Sequence, residues 1–149
     1  MSTFILLDAG PLGLATNPRA SAAAEQCARW MESLSDRDVR IVVPEIADYE
    51  VRRELLRAEK LLGLQRLDQL RNTVDYLPIT SECMLLAAQF WADCRKRGKP
   101  TAHDASLDAD VILAAQAASL RDEGNDVVIA TTNVGHLSMF IPARRWMEI

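Results

Sequence analysis

The chain has 149 residues, 49% of them apolar and 26% charged, the proportions of one ordinary globular domain and not of a disordered chain. No apolar run approaches the ~18 to 20 residues of a membrane-spanning helix, and the segment from Met1 to Asp8 has neither the basic leader nor the long apolar stretch of a signal peptide, so a cytoplasmic protein is expected. The net charge of −4 does not advertise nucleic-acid binding, although local patches and not totals decide that.

Residues 3–7 (Thr-Phe-Ile-Leu-Leu) are a buried first strand that stops at Asp8, and Ala9-Gly10-Pro11 reads as a sharp turn. A short helical stretch follows over Leu12–Thr16, broken by Asn17-Pro18. Residues 20–34 have helical spacing through Cys27, Trp30, Met31 and Leu34. Val39–Val43 is a second buried strand closed by Pro44. A helix runs from Glu45 to about Glu59 with Ile46, Tyr49, Val51, Leu55 and Leu56 as its apolar side, and Gly63 separates it from a helix over Leu64–Arg71. Residues 74–79 form a third strand whose Pro78 limits pairing. Thr80 or Ser81 caps a helix from Glu82 to about Arg97, with Leu85, Leu86, Phe90, Trp91 and Cys94 as its buried stripe. After a polar loop from Gly98 to Ala105, an Ala-rich helix reaches about Arg121. Val127–Ala130 is a fourth strand, and a last short strand lies near Trp146–Ile149. Cys27, Cys83 and Cys94 match no zinc spacing and no disulfide framework, and read as buried free thiols. Strands alternate with helices throughout, which predicts an α/β domain with a mostly parallel central sheet and helices on both faces. Such sheets bind ligands at the carboxyl ends of their strands.

The candidate site residues are acids at or near those ends. Asp8 terminates the first strand; it is either a turn cap or a site residue. Glu50 lies in a helix of alternating charge, which favours a solvated face, but it is four residues from Ile46 and can lie at the edge of the apolar stripe. Asp104, Asp108 and Asp110 cluster at the start of the Ala-rich helix. A cap and the helix dipole account for one or two of them. No Lys or Arg occurs from Thr101 to Leu120, and an uncompensated carboxylate cluster beside a buried helix calls for a cation. Oxygen-only ligands suit Mg²⁺ or Mn²⁺. Positions i and i+2 on a helix face about 200° apart, so Asp108 and Asp110 do not share one site from within it. Asp110 is the expected ligand. Asp108 is the cap, or a further ligand if the helix starts after it. Thr131, Thr132, Asn133 and His136 follow the fourth strand as a polar loop. No phosphate-binding glycine loop and no GxSxG elbow is present.

Four motifs occur in order: ILLDAGPL, PEIADYEV, DVILAAQA and TTNVGHL. Together they make the chain similar to PIN-domain proteins of the VapC toxin ribonuclease type, over essentially its whole length. The resemblance implies a three-layer α/β/α PIN-like fold as a single domain over residues 1–149. It implies a metal-dependent endoribonuclease acting on single-stranded RNA, with Asp8, Glu50 and Asp110 holding Mg²⁺ or Mn²⁺ and Asp108 as an additional ligand. Thr131, Asn133 and His136 become phosphate-positioning or supporting residues. The resemblance also implies a homodimer and a small antitoxin partner. Two departures bear on the site: His136 and Leu137 stand where the family often has an acid and an aromatic residue, and Ala9-Gly10 replaces a Ser or Thr after the first acid.

The expected metal orients a water, raises its hydroxide fraction and stabilises charge in the transition state. Arg52, Arg53, Arg57 and Lys60 on one helix, and Arg95, Lys96, Arg97 and Lys99 before the loop, are candidate contacts to the RNA backbone, against the plainer role of a solubilising surface. The alternative function is a catalytically weak or inactive PIN-like module that binds nucleic acid or a partner, in keeping with His136 in place of an acid. A small phosphotransfer domain is disfavoured, because Gly10 stands where a haloacid-dehalogenase-type phosphatase needs a second Asp.

Overall fold

The computed structural model describes residues 3–19, 21–97, 104–135 and 137–149, with residues 104–106 as backbone alone. Five parallel strands form one sheet in the order β3-β2-β1-β4-β5. The strands are β1 (Thr3–Leu7), β2 (Val39–Pro44), β3 (Asp75–Leu77), β4 (Asp126–Thr131) and β5 (Ala143–Arg145). The helices are α1 (Ala9–Thr16), α2 (Ala22–Leu34), α3 (Glu45–Arg57), α4 (Leu61–Thr73), α5 (Ser81–Lys96) and α6 (Asp104–Asp122).

Side chains alternate across each strand, so one buried strand feeds two cores. Ile5 and Leu7 of β1 pack with Leu12, Cys27, Leu34, Val51 and Leu67 on the face covered by α1 to α4. Leu6 points the other way, into Leu113, Ala114, Ala117 and Ala118 of α6. The alanines let α6 lie close to the sheet, and α5 packs outside it through Cys83, Ala87 and Cys94. All three cysteines are free and buried, as expected. Among the described residues, no helix is long and apolar enough to cross a membrane.

The chain order fixes where a site can form. From β1 the strands step outward to β2 and β3, and the chain then returns to place β4 on the other side of β1. The order reverses between β1 and β4, and the crevice beyond their carboxyl ends is the natural ligand site of an open parallel sheet.

Several elements differ from the sequence expectation. Ala9-Gly10-Pro11 is the first turn of α1 and not a free turn. A proline is tolerated there because the first N–H groups of a helix have no partner inside it. Gly63 lies inside α4; a Cβ at this position would stand 2.7 Å from a Leu55 methyl, so the glycine admits α3 and does not end a helix. The break lies at Ala58–Lys60, where Glu59 has φ 54°. β3 is cut to Asp75–Leu77 at the sheet edge. On α5, Leu85 and Trp91 are exposed, and on α3 Tyr49 and Leu56 are exposed, so the buried stripes are narrower than their apolar patterns. Helix α6 already begins at Asp104, inside the expected loop. The last strand is Ala143–Arg145, earlier than expected, because Trp146 leaves the sheet line to pack against Trp30, with ring centroids 5.5 Å apart.

Candidate functional site

Asp8 leaves β1 at the β1/β4 switch point. Its backbone N–H donates to the Ala130 carbonyl at 2.9 Å, one step beyond the last residue of β1. Its carboxylate is held at both oxygens: Oδ1 accepts the Ala9 N–H at 2.7 Å and caps α1, and Oδ2 accepts the Thr131 hydroxyl at 2.7 Å. Thr131 is itself buried at the end of β4 and accepts the Asn133 N–H at 3.1 Å. Asp8 therefore caps α1 and is tied to the end of β4 at once.

Glu50 on α3 and Asp110 on α6 lie near enough to Asp8 to feel its charge. The three acids share one electrostatic field. Burial pushes the Glu50 carboxyl up to about 7; the Asp8 charge adds to this, Arg53 opposes it, and Asp110 adds a smaller push. Burial pushes Asp110 up to about 6, and Asp8 adds to it. Asp8 is also raised by burial, against the opposing hydrogen bonds from Thr131 and Ala9. Among the described residues, these three half-buried carboxylates have one loosely placed cation, Arg53 at 3.9 Å from Glu50, and so carry an excess of negative charge.

By donor chemistry the three acids fit a hard divalent cation, which takes oxygen ligands and relieves mutual repulsion. Yet among the described residues no three acid, imidazole or thiol groups converge into a ready-made metal cage. The two observations are compatible, because Coulomb interactions in a low-dielectric crevice reach well beyond a metal–oxygen bond of about 2.0–2.6 Å. The acids share a field without closing a coordination shell.

The other candidates divide. Asp108 is exposed on α6 and borders a surface groove with Met84, Trp91 and Ile112. The helix starts before it, so the cap position proposed for it does not exist there. His136 lies outside the described residues, as do Lys99, His103 and the side chain of Asp104. Asn133 joins the site through its backbone N–H. Gly10 brings α1 against the loop after β4: a Cβ there would stand 2.6 Å from the Thr132 hydroxyl oxygen. Thr132 thus sets a hydroxyl beside the place where Ala9-Gly10 supplies none.

The basic candidates also separate. Arg52 turns from the site and donates to buried Asp48 at 2.9 Å and to Asp68 at 2.8 Å. Arg71 is 3.7 Å from Asp48 and lies 4.1 Å over the Tyr76 ring. This network joins α3, α4 and β3. Arg57 pairs with Glu54 at 2.8 Å on an exposed surface. Lys60 borders a groove of about 430 Å³ that starts at Glu50 and runs between α1 and α3.

Gln116, which no motif marks, ties together the elements around the acids. Fully buried in α6, it accepts the Ile46 N–H at 3.3 Å and donates to the Leu77 carbonyl at 2.7 Å, tying the start of α3 to the end of β3. Its signal in the sequence is one amide in an otherwise apolar run, Val111 to Ala118.

No family model matches the sequence, and no curated protein matches it. Solved structures do. VapBC2 from Rickettsia felis, bound to a DNA fragment from its promoter, matches with TM-score 0.72 at 13% identity, covering 96% of this chain and 98% of the other. VapBC-1 from nontypeable Haemophilus influenzae matches with TM-score 0.68 at 18% identity over 97% and 98% of the two chains. VapC20 from Mycobacterium tuberculosis, described as a toxin that cleaves the sarcin–ricin loop, matches with TM-score 0.62 at 13% identity over 92% and 95%. At such identities the likeness speaks for the fold. With a five-stranded parallel sheet between helices, and matched over nearly the whole length of each chain, the chain has the PIN-domain fold of these VapC-type toxin structures.

Proposed function

We propose that the protein is a metal-dependent endoribonuclease that hydrolyses phosphodiester bonds of single-stranded RNA, with Asp8, Glu50 and Asp110 as its catalytic and metal-binding residues. The observation that carries this reading is the shared field of these acids, from three separate elements, at the β1/β4 switch point. Burial and the Asp8 charge together push the other two carboxyls up, Glu50 to about 7 and Asp110 to about 6.

Mg²⁺ or Mn²⁺, held by these acids, would supply Lewis-acid charge for the phosphoryl oxygens and a water made more acidic. The chain's own residues do the rest. Thr131 fixes the rotamer of Asp8 through its hydroxyl. The hydrogen bonds to both Asp8 oxygens favour its charged form, the one that binds a cation. The reading carries with it a cytoplasmic location, a homodimer and a small antitoxin partner, in line with the VapBC complexes whose fold the chain shares.

The test is cleavage of single-stranded RNA with Mg²⁺ or Mn²⁺ by the parent and by Asp8→Asn and Asp110→Asn. Asparagine also caps helices, so Asp8→Asn keeps α1. Both variants are expected to lose at least a hundredfold in rate with circular dichroism unchanged; full cleavage by either one refutes the assignment. The second reading, a PIN-like module without catalysis that binds nucleic acid or a partner, draws on the absence of a closed ligand cage among the described residues. It predicts no cleavage by the parent and no thermal shift with Mn²⁺.

A further inference from the structure

Helix α3 carries a second feature beside the acids. Tyr49, Glu50 and Arg53 are neighbours on one helical surface. The Arg53 guanidinium carbon lies 5.1 Å from the Tyr49 ring centroid, and the same guanidinium reaches Glu50 Oε2 at 3.9 Å. Tyr49 remains 56% exposed even with Arg53 over its ring. An exposed aromatic ring, a cation and one acid of the site thus form a continuous surface at the crevice rim. The basic stripe continues past them: Arg57 is one helical turn beyond Arg53, and Lys60 borders the groove that starts at Glu50. Arg52, next in sequence to Arg53, does not belong to this stripe, because Asp48 and Asp68 hold it on another side of α3.

This arrangement answers a difficulty of the acid site. Three carboxylates repel a phosphate backbone and offer nothing to a base. Single-stranded nucleic acid is ordinarily held by an aromatic ring on which a base stacks, beside a cation that takes the phosphate. We propose that Tyr49 and Arg53 form a single-strand RNA platform at the rim of the site: a base flanking the scissile phosphate stacks on the Tyr49 ring, and Arg53 holds a backbone phosphate. The proposal rests on the ribonuclease reading and adds to it the recognition of a base beside the cleaved bond. Stacking of this kind is tolerant of base identity, so Tyr49 supplies affinity and register and leaves sequence choice to other residues.

The experiment measures binding of two fluorescein-labelled probes of equal length to the Asp8→Asn protein by anisotropy: a single-stranded RNA of mixed sequence and a strand of abasic residues carrying the same phosphates. In that background, Tyr49→Ala is expected to weaken the RNA about tenfold and leave the abasic strand unchanged, while Tyr49→Phe keeps RNA affinity. Arg53→Ala is expected to weaken both probes and lower the salt slope by about 0.7. Arg52→Ala is expected to leave the slope as it was. Equal RNA affinity for Tyr49→Ala and its parent overturns the platform, and a change of oligomeric state in its place assigns Tyr49 to a protein interface. If the parent neither cleaves nor binds RNA, the ribonuclease reading falls and takes the platform with it. If the parent cleaves and only the Tyr49 effect is missing, the platform alone falls.

Discussion

Asp8 owes its geometry to one hydroxyl. Thr131 is buried, donates to Asp8 Oδ2 and accepts the Asn133 N–H, so it couples the end of β1 to the loop after β4. Thr131→Val keeps the shape and removes both bonds. The cost of leaving two partly buried groups unpaired is about 1–3 kcal/mol, to be read from urea denaturation. Because Asp8 also loses a bond that favours its charged form, RNA cleavage is expected to fall about tenfold, and more Mg²⁺ to be needed for half-maximal rate; Thr131→Ser should recover most of both. An unchanged metal requirement in Thr131→Val would reduce Thr131 to a structural residue. In the sequence Asp8 stands out because it ends a strand, whereas Glu50 and Asp110, well inside α3 and α6, stand out only through their motifs. The direction in which Asp108 faces was not legible, because it depends on where its helix begins, and α6 begins at Asp104 without a start signal in the pattern.

At the scale of elements, apolar spacing located the helices but not the width of their buried faces. Leu85, Trp91, Tyr49 and Leu56 fit the period and are nonetheless exposed, since a stripe edge is covered only if a neighbouring element reaches it. Glycines misled for a related reason. In a sequence a glycine marks a break, whereas Gly10 and Gly63 mark close approach, to Thr132 and to Leu55 respectively. What no periodicity reveals is the tie between elements that Gln116 makes. Gln116→Leu has nearly the same volume but leaves the Ile46 N–H and the Leu77 carbonyl without their partner. It is expected to cost about 2 kcal/mol in urea denaturation. Because the tie fixes the start of α3, which carries Glu50, cleavage should fall by more than the loss of folded protein explains. A variant with normal kcat per folded molecule would show that α3 is placed by its apolar contacts alone.

For the whole molecule, the strand order brings three acids from distant parts of the chain to one crevice, and this concentration of charge opposes folding. The sign follows from proton binding. Glu50 and Asp110 have folded-state values of about 7 and about 6, above the ordinary 4.5 and 3.8, so the folded protein holds protons that the unfolded chain releases. Stability must then fall as pH rises from the ordinary carboxylate range through about 7, and level off above it. A divalent cation binds the deprotonated acids and reverses the trend, stabilising the fold by about 2.7 kcal/mol at a hundredfold excess over its Kd. Melting without metal should therefore be higher at mildly acid than at alkaline pH. The difference should be smaller in the Glu50→Gln/Asp110→Asn double variant, and Mg²⁺ should raise the melting temperature of the parent at alkaline pH but not of that variant. The control matters, because every other titrating group contributes to the parent's curve while the subtraction isolates these two. A parent and double variant with parallel pH curves would mean that the acids do not share a field, and with it would go the strongest support for a metal at the switch point.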